Sequence, residues 1–374
     1  MFTLAKRNLF QDKMRLAVTL TGVVFAVVLI IIELGLFFGF TRTTSALIDH
    51  SQVDLWITSN HVPYLELGVP LNERKFYQVE AVPGVAGAEK YIVRYTRWNR
   101  LDGGQNQIQI VGFNPDSTWG GPWNVVEGNI HDLKTPDGVM VDEVYKSKLG
   151  VSRIGEVFEI NGHRARVVGF THGIRSFTTS PCVFTSFRNA IDYAPVRDDQ
   201  TTYVLAKVEP GANVDEVRQS ILDRVDGVDV LTTKEFSRLT QNYWTYTTGA
   251  GIAILLAAVL GVIVGFVVVA QTIYATTMDH IKEFGTLKAM GAPNRYVQKV
   301  ILIQAGISAV IGYLVGMIIS CVIVRFGQPS GAPILLNWWM AFVTLALTLS
   351  MCAGAALISI NKVTRLDPAT VFKG

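Results

Sequence analysis

The sequence predicts an α-helical membrane protein of four spans, with a large α+β exterior domain of two lobes between the first span and the second. Three observations carry that prediction. Four apolar runs, at 16–40, 248–271, 299–324 and 338–360, are each long enough at ~1.5 Å per residue to cross a hydrocarbon core of ~30 Å. The stretch 41–247 is polar, alternates strand-like with helix-like patterns and is punctuated by turn residues. The charge is also segregated: 41–247 carries a net −4 and the remainder +7, within a total of +3.

The bulk numbers agree with this division. A chain of 374 residues with 49% hydrophobic content and a mean hydropathy of +0.32 is too apolar for an ordinary soluble protein, while 17% charged residues leave room for a soluble part. A pI near 8.6 does not imply a nucleic-acid partner, because the basic excess lies beside the apolar runs, where it orients spans. Arg94, Arg97 and Arg100 with Tyr91, Tyr95 and Trp98 could mimic a nucleic-acid surface. In a domain of net negative charge a solvated strand face is the better reading. Cys321 and Cys352 fall in apolar runs and Cys182 is alone in the polar stretch, so no disulfide is expected there.

Taken in order, residues 1–15 place Lys6, Arg7, Lys13 and Arg15 among Phe2, Leu4, Leu9, Phe10 and Met14, as in a helix lying on membrane lipid. The run 16–40 reads as a retained anchor, since it far exceeds the ~7–15 apolar residues of a cleaved signal. Glu33 is its one acid. An ionisable group at that depth is costly, so it either serves function or is hydrogen-bonded within the bundle near the outer headgroups. In the polar stretch, strands are expected near 54–58, 91–98, 107–111, 203–208 and 228–231, with helices over 72–82 and 214–225. Val82-Pro83-Gly84-Val85 and Val225-Asp226-Gly227-Val228 end the two helices alike, which suggests two related β-α-β halves. These halves cover about 50–128 and 200–235. Between them, about 129–199, lies a β-rich inserted lobe with a hairpin at Asn161-Gly162.

Tyr243 and Trp244, then Trp338 and Trp339, sit where interfacial aromatics belong. Four crossings put both termini and the 272–298 loop on one side, together with Lys282, Lys288, Arg295, Lys299, Lys362, Arg365 and Lys373. The short 325–337 connection on the other side offers only Arg325. By the positive-inside rule the termini (the tail being 361–374) and the middle loop are cytoplasmic. Gly35 and Gly39, Gly261 and Gly265, and Gly312 and Gly316 each make a G-x-x-x-G, a spacing that lets helix backbones approach closely.

The middle loop holds the most informative segment, Asp279 to Pro293. Ile281, Phe284 and Leu287 share one face, while Lys282, Glu283 and Lys288 stay in water, and Gly291 with Pro293 stops the helix. It is either a polar hairpin between two spans or a docking helix for a cytoplasmic partner. No P-loop, H-E-x-x-H, G-x-S-x-G or C-x-x-C occurs, and His131, His163, His172 and His280 are each isolated. Neither an enzyme, nor a metal site, nor a nucleotide site in this chain is expected.

Lys282-Glu283-Phe284-Gly285, followed by Lys288-Ala289-Met290-Gly291-Ala292, resembles the R-E-I-G-x-x-[KR]-A-[LI]-G-A signature of MacB/FtsX-type ABC-transporter permeases. Arg365-Leu366-Asp367-Pro368-Ala369 resembles the motif that ends those chains, and Ala5 to Arg15 is similar to the start of the DevC-type exporter permeases of cyanobacteria. The departures, Lys282 for arginine and Phe284 for isoleucine, keep charge and bulk. The resemblance implies a bacterial inner-membrane homodimer with no cofactor of its own, ATP and magnesium being held by separate ABC ATPase subunits. It implies exterior lobes termed porter and sabre, a periplasmic adaptor and a TolC-like outer-membrane channel, and export by mechanotransmission. Asp279, Ile281, Lys282, Glu283, Phe284, Gly285, Leu287, Lys288, Met290 and Gly291 would then couple to the ATPase, with Phe284 and Leu287 as the apolar anchors. The alternatives within the family are an FtsX-like regulator of an exterior hydrolase and a lipoprotein-releasing permease.

Overall fold

The computed structural model describes residues 10, 13–178, 180–327 and 334–364. The N-terminal surface helix expected over 1–15 and the tail motif at 365–369 lie largely or wholly outside these. The chain divides into two compact units, Met1–Gly39 with Ile252–Gly374, and Phe40–Gly251.

The Phe40–Gly251 unit is built on strands β1 (Leu55–Ser59), β2 (Val85–Asn99), β3 (Gln105–Phe113), β4 (Val125–Glu127), β5 (Gly138–Asp142), β6 (Val157–Ile160), β7 (His163–Thr171), β8 (Cys182–Ser186), β9 (Tyr203–Val208) and β10 (Val228–Thr232). They join in one sheet in the order β10-β1-β9-β2-β3-β8-β5-β7-β4, with β6 pairing to β2 and β7. The first four run antiparallel. β1 reaches β2 through the Arg74–Glu80 helix, and β9 reaches β10 through the Val214–Arg224 helix. Each β-α-β unit therefore encloses one strand of the other, the split β-α-β arrangement. The matching ends seen in sequence have a common cause: Gly84 (φ 89°) and Gly227 (φ 68°) take the left-handed conformation that stops a helix and launches the next strand.

Successive residues of β1 serve opposite faces. Leu55 and Ile57 pack with Val79, Val217 and Ile221 from the two helices, while Trp56 points into a second core with Tyr91, Tyr203 and Phe236. The other half of the sheet buries Trp98, Ile108, Val141, Phe158, Phe170 and Val183. Strands from 129–199 are joined there by the end of β2 and by β3, because β2 is fifteen residues long and pairs with β9 in one half and β3 in the other. The β6–β7 hairpin turns on Asn161 (φ 50°) and Gly162 (φ 84°), two consecutive positive-φ residues as a type I′ turn requires.

After β10, Thr232 and Glu235 cap the Thr233–Asn242 helix reciprocally: the Glu235 amide donates to Thr232 Oγ1 (3.2 Å), and the Thr232 amide to Glu235 Oε2 (2.9 Å). Arg218 Nη1 donates to the same carboxylate. These donors hold the Glu235 carboxyl below its ordinary range against the opposing effect of burial. Thr232→Ala is expected to cost about 0.5–2 kcal/mol, read as a lowered thermal midpoint of the full chain.

In the other unit, the helices at Leu16–Thr44, Ala250–Asp279, Asn294–Phe326 and Trp338–Asn361 are long and apolar enough to cross a membrane. The first is central. A Cβ on Gly312 or Gly316 of the third helix would lie 2.5 Å or 2.7 Å from Val23 Cγ1 or Val27 Cγ1 of the first, and one on Gly265 of the second 3.0 Å from Ala26 Cβ. Gly261 has looser neighbours, Leu29 at 3.4 Å. Gly35 accepts the Leu335 amide (3.1 Å) through its carbonyl, a Cβ on it would lie 2.8 Å from Ile334 Cγ2, and Gly39 is buried in the same helix. Thr19 and Thr276 hydroxyls pair at 3.0 Å, and Tyr313 OH donates to the Ala341 carbonyl (2.9 Å).

Candidate functional site

The segment after the second span folds as a short capped helix. Asp279 ends the span, and His280 leaves helical geometry (φ −92°, ψ 14°), with its Nδ1 2.9 Å from Glu283 Oε1. The helix Ile281–Ala289 follows. It closes in a Schellman motif: the Ala292 amide donates to Leu287 O, the Gly291 amide to Lys288 O, both at 3.0 Å, and Gly291 sits at φ 91°. Pro293 then leads into the third span.

This helix has an inner and an outer side. Phe284 is 1% exposed and packs in the membrane unit's core with Ile273, Val297 and Val300; Gly285 is buried beside it, and Leu287 packs partly on the same core. Asp279, Lys282, Glu283 and Met290 are exposed, Met290 at 71%, and Ile281 and Lys288 are half-buried. The expectation that Phe284 would be an apolar anchor for a partner is corrected here. Its ring is spent on its own bundle, because a nine-residue helix tethered at both ends must bury its stripe against the spans beside it. Met290 is the large apolar side chain left facing outward.

Glu33 is half-buried in the first span, its Cγ 3.6 Å from where a Cβ on Gly261 would stand. Among the described residues no three His, Cys, Asp or Glu side chains gather to hold a metal ion. His172 pairs with Glu143.

Two features of the Phe40–Gly251 unit escaped the sequence reading. One is a cleft of about 660 Å³ lined by Glu89, Lys90, Asn114, Lys134, Arg188 and Asp192. Burial raises the Glu89 carboxyl above its ordinary range although Asn114 Nδ2 donates to it (2.9 Å), and Lys90 is held by Glu73 over the Phe187 ring. These residues meet only through sheet order, so no spacing in the chain announces them. The other is Glu66, 7% exposed, whose carboxyl is pushed up to about 7 by burial. A lone acid between Leu65 and Leu67 gave no signal.

Comparison with known proteins supplies the rest. Residues 16–224 match the MacB-like periplasmic core domain, and residues 237–368 match the FtsX-like permease C-terminal region. The chain is 24% identical to the uncharacterized ABC transporter permease Rv0072 of Mycobacterium tuberculosis over 99% of both chains. It is 22% identical to the ABC transporter permease YtrF of Bacillus subtilis over 66% of this chain and 62% of that one. Among solved structures, the periplasmic region of MacB from Actinobacillus actinomycetemcomitans is similar over 51% of this chain and 94% of its own, at 9% identity and a TM-score of 0.39.

Proposed function

The chain belongs to the MacB/FtsX-type ABC-transporter permeases, multi-pass membrane proteins with a periplasmic domain, and from that premise we propose that it is the membrane subunit of an exporter driven by mechanotransmission. ATP binding and hydrolysis take place on a separate ATPase, on the side that carries both termini and the Ile281–Ala289 helix. The motion enters through the outer face of that helix and leaves through the periplasmic domain, which drives cargo towards an adaptor and a TolC-like channel. Two copies form the working unit. The exposed apolar residues of the second span, Leu256, Leu260 and Ile263 among them, meet lipid and the second copy.

The observation that carries this reading is the two-sided coupling helix. Phe284 fastens it into the same core as the third span's Val297 and Val300, so displacement of the helix displaces the bundle. Lys282, Glu283 and Met290 stand outside as the face to be gripped. A charge-reversed outer face should therefore uncouple without unfolding. Lys282→Glu combined with Met290→Asp is expected to lower cargo-stimulated ATP hydrolysis by the assembled complex at least about tenfold, the scale of losing ~1.4 kcal/mol or more at an interface centre. Phe284→Asp, by contrast, should reduce the yield of folded membrane protein. Wild-type stimulation in the double variant, with ATPase still bound, would remove the coupling role from this face.

A further inference from the structure

The Thr233–Asn242 helix does not run straight into the second span. Tyr243–Thr247 forms a π-helical turn, with the Thr248 amide donating to Tyr243 O (3.1 Å), and Gly249 (φ 75°) follows before the next helix begins at Ala250. A π turn is rarely stable on its own backbone and persists where side chains hold it. Here the Tyr243 ring stacks on Tyr64 (4.1 Å, 17° between planes). Trp244 meets Tyr64 edge-on at 5.2 Å and Phe177 at 4.2 Å. Its indole Nε1 donates to Glu66 Oε2 at 3.3 Å.

We propose that Glu66 and Trp244 form a proton-controlled clasp on this turn, closed while Glu66 is protonated and loosened when it ionises. The groups around Glu66 are neutral hydroxyls, a thiol and an indole, with two arginines near by. Tyr64, Tyr95 and Tyr203 bring hydroxyls and Cys182 a thiol, and burial raises all four, so they stay neutral through the physiological range. Arg94 Nη1 is engaged with the Gly68 carbonyl (2.8 Å), and Arg175 lines a small cavity beside Glu66. That leaves two neutral donors, the indole and the backbone amide of Glu66 itself, for a carboxylate that is 7% exposed, and burial outweighs both of them in favour of the uncharged acid.

A second observation marks the same place. Beside Glu66 lies a cavity of about 10 Å³, the size of one water, lined also by Thr44, Ser176 and Gln109. Gln109 is 2% exposed and its Nε2 has no hydrogen-bond partner. The unpartnered Gln109 amide and the room for one water give an ionised carboxylate somewhere else to turn, at the expense of its bond to Trp244 and the aromatic packing over it. The sign follows from the direction of the shift. The folded-state pKa lies above the ordinary carboxyl value, so the clasp is at full strength below that value and is lost as pH rises through about 7.

Hydrogen exchange on the full chain in lipid nanodiscs, read over 240–251, tests this. Relative to Glu66→Gln at the same pH, opening of the turn in the wild type should rise about thirtyfold between about pH 5.5 and about pH 8.5. Glu66→Gln, neutral at every pH, should stay protected throughout. An identical pH response in the two proteins overturns the proposal. Should Glu66→Gln not fold, Trp244→Phe decides: keeping the ring but losing the donor, it should exchange several-fold faster than wild type near pH 5.5, and wild-type rates there overturn the proposal equally.

Discussion

Trp56→Ala is expected to lower the stability of the periplasmic domain by about 3–5 kcal/mol, the range for truncating a large buried aromatic. Trp56 is fully buried, with the rings of Tyr91 and Tyr203 at 5.5 Å and Phe236 at 5.3 Å. Those neighbours come from β2, β9 and the capped helix after β10, so the ring joins elements distant in sequence, and none can collapse into the space it leaves. Trp56→Phe is the discriminating partner. The indole Nε1 is buried without a hydrogen-bond partner, so phenylalanine removes an unpaired donor along with part of the ring, and the loss should stay below about 1.5 kcal/mol. Thermal unfolding of the full chain in nanodiscs separates the two. An alanine variant melting within ~2 °C of wild type would show that this ring does not organise the core.

A comparable loss is expected in the membrane when Gly312 and Gly316 both become alanine. Each added methyl would stand within 2.8 Å of two side-chain atoms of Val23 or Val27. Valine is stiff at χ1, so neither can swing clear, and the first and third spans must separate. At ~1–3 kcal/mol for each overpacked site, the pair should cost about 2–6 kcal/mol. Combining them with Val23→Ala and Val27→Ala should restore most of it. Gly261→Ala is the control, since its added methyl meets nothing nearer than 3.4 Å. Equal tolerance of the glycine pair and of Gly261, measured as resistance to denaturing detergent, would discard the packing role.

What could be read from the chain was what is written locally. The spans were legible because length and apolarity along one segment decide them, and the capped segment 281–289 because its helix and its stop are adjacent in sequence. The β-α-β halves were visible one at a time. Their interleaving was not, since nothing in β9 states that it enters between β1 and β2. The stripe of Ile281, Phe284 and Leu287 was correctly seen as amphipathic. A stripe does not say whether it faces a partner or its own bundle, and the structure gives Phe284 to the bundle. Trp244 read as an interfacial aromatic; its indole instead serves a carboxyl from residue 66, a pairing that only the folded chain brings together.

The strand β2 has a mechanical meaning. Fifteen residues at ~3.3 Å each make a beam of about 50 Å, hydrogen-bonded to one half of the sheet along its first part and to the other half along its second. A hinge between the halves would have to break that strand, so a load applied at one end is felt as torsion at the other. Neither half is a detachable module, and denaturant should melt both in one transition.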